Sequence, residues 1–235
     1  MKRTQTKIPT TLPRGLIFLS SGWLLFSWII AVGIRPPIQP SSSVYTPAAQ
    51  VLLTSIVLGG LVAWPLLRLS GAMRERPAIQ ALLDVVSLCV LLQIILWPLR
   101  LVTAWTIARL LLIDGSMCAW LMTTAAILAT SISQNGRIRT LAMALLITWL
   151  IAPLLIAISW PQSGMGFAAS PLGAIWLLSS DGGALTDSTS WRLLWVNWGI
   201  SGLAWALVAV LAAYRRLGST DTGSRAGDTS LEEIA

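Results

Sequence analysis

Three ionisable side chains fall inside long apolar runs of this sequence: Asp84, Arg109 and Asp114. A charged group at the centre of a membrane helix costs about 2.5–3.5 kcal/mol on insertion scales, so each is a candidate for binding, relay or pairing. Asp84 stands about two turns into its run and shares the run with Ser87 and Gln93. On a helix, positions 84 and 87 lie on one face, whereas 93 lies about 180° from 84. The three therefore form no single polar stripe. A proton or substrate relay needs more carboxylates than this chain supplies. The expectation for Asp84 is a partner arginine on the cytoplasmic side, or interfacial water. Arg109 and Asp114 are five residues apart, about 140° around a continuous helix. They meet only if the chain breaks near Asp114.

Other chemistry is absent from the residue inventory. The chain has no histidine, which excludes histidine-ligated haem, histidine-bound zinc and a serine–histidine triad. Its two cysteines, Cys89 and Cys118, sit in apolar runs, form no C-x-x-C pair and read as small buried residues. There is no G-x-S-x-G, H-E-x-x-H, S-x-x-K or Walker A pattern. The sequence therefore reads as non-enzymatic, with no catalytic residue, no metal and no cofactor.

The elements that must carry these residues are membrane spans. The 235 residues are 55% hydrophobic and 11% charged, against about 25% charged in ordinary soluble domains. A span needs about 20 mostly apolar residues. Apolar runs predict spans at 15–34, 47–67, 78–99, 115–133, 140–159 and 191–214. The stretch 101–133 is too long for one untilted span. Pro98 and Arg100 suggest a turn before it and Asp114-Gly115 a second break, so Leu101–Ile113 reads as a short interfacial helix. One long tilted helix is the alternative. The first run ends in Arg35-Pro36-Pro37 and reads as a retained helix, longer than a signal peptide's apolar region. Between spans five and six, Gly166–Leu178 is apolar but too short to cross, which fits a re-entrant or interfacial helix. The expected fold is all-α: six transmembrane helices over 15–216, a basic tail at 1–14 and a disordered tail at 217–235.

Lysine and arginine set the orientation. With the N-terminus inside, twelve of the sixteen basic residues fall in cytoplasmic stretches, three (Arg35, Arg100, Arg192) fall outside, and Arg109 lies near or in the membrane. This predicts both termini in the cytoplasm. The net charge of +7 is thus a topology signal, and its dispersal between apolar runs argues against nucleic acid as a partner. Most of the thirteen tryptophans read as boundary anchors. Small residues allow close helix approach in lipid. Gly115, Ala119, Thr123, Ala126 and Thr130 share one face of span four. Gly202, Ala206, Ala209 and Ala213 share one face of span six. Both faces are candidate packing surfaces.

This layout resembles the compact membrane subunits of type-2 ATP-binding-cassette exporters, including haem-exporter-B-like permeases. Ser170-Pro171-Leu172 looks like the small-Pro-hydrophobic stretch that follows span five in that group. Ala213-Tyr214-Arg215-Arg216 looks like the basic stop after span six. The resemblance implies a cytoplasmic loop between spans two and three that docks on an ATPase, here Arg68–Pro77 with Arg74, Glu75 and Arg76. It also implies a broken outer segment between spans five and six. It further implies a bilayer-embedded permease working as a homodimer or with a second permease, energised by a separate ATPase, in the bacterial cytoplasmic (inner) membrane. A mostly apolar interior points to lipid-like or amphipathic cargo. The alternative is a non-transporting assembly factor or structural subunit of a larger membrane complex.

Overall fold

A computed structural model describes residues 13–34, 42–70, 76–103, 105–132, 134–159, 170–180 and 188–225. Helix α1 spans Arg14–Ala31. Helix α2 (Ser42–Leu58) passes through a π-helical turn (Gly59–Ala63) into α3 (Trp64–Leu69). Helices α4 (Pro77–Thr103), α5 (Ile107–Ser131) and α6 (Gly136–Ser159) follow, then a short α7 (Pro171–Ser179) and a long α8 (Ser188–Arg225). With α2, the π turn and α3 counted as one unit, six helices among the described residues are long and apolar enough to cross a membrane. Large hydrophobic side chains cover the outside: Phe18, Leu101, Ile158, Trp195 and Leu203 are all more than 70% exposed. A soluble surface of this character would not survive in water, and the protein is an integral, multi-pass membrane protein.

Helix α5 is the centre of the bundle. Just over half of its apolar window (56%) is buried, against 11% for α8, and α5 packs most extensively on α4 and α8. Two apolar clusters fill the interior. One joins α2, α4, α5 and α7 around Leu53, Leu96, Ile113 and Ile175. The other joins α3, α4, α5 and α8 around Trp64, Val85, Ala125 and Val208. Helix ends are closed locally. Gly33, at φ 91°, stops α1 in the left-handed region that glycine tolerates best. Arg139 of α6 donates to the carbonyls of Leu69 (3.3 Å) and Ile132 (2.7 Å), so one guanidinium caps the C-terminal ends of both α3 and α5.

The structure corrects the reading of residues 101–133. Leu101–Ile113 is not a separate interfacial helix. Helix α4 continues through Pro98 to Thr103, and α5 runs unbroken through Asp114-Gly115. The break lies just before Ile107, where Thr106 caps α5 by accepting the backbone N–H of Arg109 (3.3 Å). Helix α4 carries Pro98 without ending there, as membrane helices can. Asp114 needs no chain break because α4 supplies it with a partner.

Between the fifth and sixth long helices, within the stretch expected to hold a short helix, α7 covers Pro171–Ser179 and packs on α2, α5 and α6. It sits at the end of the bundle where α2 and α5 begin and α6 ends. Ser170, just ahead of it, donates its hydroxyl to the Leu150 carbonyl of α6 at 2.8 Å. Gln50 of α2 reaches the Trp176 carbonyl at 3.5 Å. Helix α8 remains helical past Tyr214 as far as Arg225. Residues 1–12 of the basic tail expected at 1–14, and 226–235 of the tail expected at 217–235, lie outside the described residues.

Candidate functional site

The first polar site is built by two short sequence spacings. Trp64 and Arg68 are four apart and share a face of α3. Gln80 and Asp84 are four apart and share a face of α4. The chain turns between these helices and brings the two faces together. Asp84 is only 1% exposed. Its Oδ2 accepts from Trp64 Nε1 (3.2 Å) and from Arg68 Nε. Its Oδ1 accepts from Arg68 Nη2 and from Gln80 Nε2 (3.1 Å). A carboxylate has roughly four lone-pair sites, and four N–H groups fill them here. The arginine pairs with both oxygens, the strongest geometry available to it. Asp84 is therefore closed to a substrate or a passing proton, and the site is a clasp holding α3 against α4. Trp64, read from sequence as a boundary anchor, is only 2% exposed because its N–H belongs to this clasp. Ser87 takes no part and donates to the Leu83 carbonyl of its own helix at 2.8 Å.

The second polar site lies deeper along α4 and α5. Gln93 Nε2 donates to Asp114 Oδ1 at 2.7 Å, and Cys118 Sγ lies 3.7 Å from the same oxygen. Gln93 is thus the partner of Asp114 and faces away from Asp84, as the 180° offset requires. Arg109 is half-buried in the first turn of α5 and does not join Asp114. Cys89 and Cys118 are free thiols. Among the described residues no group of three or more cysteine, aspartate or glutamate side chains is placed to hold a metal ion.

A third feature carries no sequence motif. A cavity of about 430 Å³ opens between α1 and the α2–α3 span, with α4 and α5 behind it. Its walls are almost wholly apolar and include Leu24, Leu92, Met117 and Trp120. The π turn shapes one wall. A side chain at Gly59 would lie 2.8 Å from Trp23 Nε1, and one at Gly60 would lie 2.9 Å from Leu121 Cδ2. Trp23 in turn donates its indole N–H to the Ser55 carbonyl (3.2 Å), and Ser27 and Ser55 share a 2.8 Å hydroxyl contact. These bonds hold α1 beside the span. The only sequence signal for the cavity is the Gly59-Gly60 pair, which reads from sequence as a bend.

The remaining candidates divide. Arg74 and Glu75 lie outside the described residues, and Arg76 is exposed just ahead of α4. The small face of α5 is turned inward: Ala119, Thr123 and Ala126 are buried. Gly115 lies under Leu194 of α8, whose Cδ1 would be 3.1 Å from an added Cβ. The small face of α8 is turned the other way. Gly202, Ala206, Ala209 and Ala213 are exposed. Helix α8 instead presents Leu194, Ser201 and Val208 inward, with Trp205 donating to the Met122 carbonyl at 3.0 Å. The physical reason is that α5 already supplies the small partner surface, and bulky side chains from α8 fill it.

These features describe a six-span bundle with a closed ionic clasp, an interior carboxylate–amide pair and an apolar cavity, and no family model, curated protein or solved structure matches the chain.

Proposed function

We propose that the chain is the membrane-spanning, permease-like subunit of an ATP-driven exporter, energised by a separate cytoplasmic ATPase. The observation that carries the reading is α7, the short helix between the fifth and sixth spans, packed on α2, α5 and α6. Type-2 exporter permeases, which the sequence layout resembles, have a broken segment in that position. The lysine and arginine bias orients the bundle with the α3–α4 loop in the cytoplasm, where Arg74, Glu75 and Arg76 would meet the ATPase. The Arg68–Asp84 clasp lies directly behind that loop. A push on the loop would therefore move α3 and α4 together. The chain performs no chemistry itself, holds no cofactor, and works as a homodimer or beside a second permease in a bacterial cytoplasmic membrane.

The test is gentle detergent purification of the tagged chain from its native host, followed by quantitative mass spectrometry. A cytoplasmic ATPase in near-stoichiometric amount supports the reading. Reversing charge at Arg74 and Arg76 would then abolish stimulated ATP hydrolysis in the purified complex. Recovery with other membrane subunits and no ATPase sinks it. The second reading, an assembly factor or structural subunit, is favoured by the outward small face of α8 at Gly202, Ala206, Ala209 and Ala213. Such a face suits close contact with another membrane helix.

A further inference from the structure

We propose that the cavity between α1 and the α2–α3 span holds one acyl chain of a membrane phospholipid, drawn from the leaflet on the side where α1 begins. Three observations carry this. The first is depth. The cavity wall on α1 runs from Leu16 to Leu24 and on the second span from Ile56 to Leu67. It therefore extends from near the middle of the helices to the end where α1 starts. Eight residues of helix rise about 12 Å, close to one leaflet of a hydrocarbon core about 30 Å thick. The second is access. Leu19, Leu66 and Leu67 line the cavity and are each about half exposed on the outer surface of the bundle. The opening is therefore sideways between α1 and α3, into the lipid. The third is chemistry. A volume of about 430 Å³ is in the range of ligand sites, roughly 300–1,000 Å³. Its walls offer almost no polar group to orient anything but a hydrocarbon. The π turn forms one wall, where side-chain-free Gly59 and Gly60 let Trp23 and Leu121 lie against the helix backbone. The proposal stands whether or not an ATPase partner exists.

The test uses the full chain in nanodiscs containing a trace of phospholipid with a diazirine near the end of one acyl chain. After illumination, labelled residues are mapped by mass spectrometry. Labelling of Leu24, Ile56 and Met117, inside the cavity, is the expected result. Leu203 and Val210 on the outer face of α8 report ordinary lipid contact. Labelling confined to the outer positions, with Met117 and Leu92 clean, overturns the proposal. So would cross-links showing a second copy of the chain seated there. A double variant, Ser20→Trp with Ala63→Phe, fills the space. Displacing even two buried methylenes should lower Met117 labelling roughly ten-fold and leave Leu203 unchanged. Unchanged labelling at Met117 in a variant that elutes as the parent does would also overturn it.

Discussion

Arg68 and Asp84 face each other nitrogen to oxygen across the α3–α4 turn, each carboxylate oxygen taking one guanidinium N–H. The pair is nearly sealed from outside, with side-chain exposures of 13% and 1%. Removing one member of a buried pair strands the other charge and typically costs about 3–5 kcal/mol, whereas replacing both with apolar residues is often tolerated. Arg68→Met and Asp84→Leu are each expected to destabilise the bundle by that order, and the double variant to recover much of the loss. Thermal unfolding in nanodiscs measures this. Two neutral single variants would show that the pair holds nothing.

The Gln93–Asp114 contact is a neutral–acid pair between two long helices. Hydrogen bonds of this kind in membranes are worth about 0.6 kcal/mol on average and at most about 1.7. A double-mutant cycle of Gln93→Leu and Asp114→Leu should return a coupling in that range. The same cycle with Arg109→Met in place of Gln93→Leu should be additive. Coupling between 109 and 114 would mean that the two residues meet after all.

Glycines at 115 and 202 should answer very unequally to the same substitution. A side chain at 115 meets Leu194, while one at 202 meets nothing within 4 Å. Gly115→Val is expected to cost about 1–3 kcal/mol through overpacking, and Gly202→Val less than about 0.5 kcal/mol in the isolated chain. If Gly202→Val instead shifts the oligomeric state on size exclusion, the outer face of α8 is an interface in the membrane.

Orientation is open to direct labelling. In a Cys89→Ala/Cys118→Ala background, cysteine at Arg76 should react with an impermeant maleimide only after the cell membrane is permeabilised. Cysteine at Thr106, at the opposite end of the bundle, should react in intact cells. The reverse pattern would place the α3–α4 loop outside and remove the proposed ATPase contact with it.

Much of the fold was legible because bilayer thickness imposes a length on every apolar run. Six runs gave six helices long and apolar enough to cross, and α7 at Pro171–Ser179 overlaps the short run at Gly166–Leu178. The boundary inside 101–133 was not legible from hydropathy. Asp114 and Gly115 look like a break only while their partners are unknown; Gln93 satisfies one and Leu194 covers the other. Thr106, the cap that does start α5, is a residue type favoured at helix N-termini, but hydropathy does not register it. The clasp was half visible. Asp84 stood out as a cost that something must offset, but its donors lie on another helix, and Trp64 looked like a lipid anchor. The cavity was invisible, since leucines lining a gap and leucines filling a core have the same one-letter code.

The π turn at Gly59–Ala63 also sets the rotational phase of everything after it. It inserts one extra residue into a helical path, and each residue of an α-helix turns the chain by about 100°. The two halves of the second span therefore keep separate clocks. The α2 half is set by its contacts with α1 and α7, and the α3 half by Asp84. Straightening the turn into ordinary α-helix with all five residues kept would carry Trp64 and Arg68 round by about 100°, away from Asp84. The buried carboxylate would lose three of its four donors without any change to the residues that hold it.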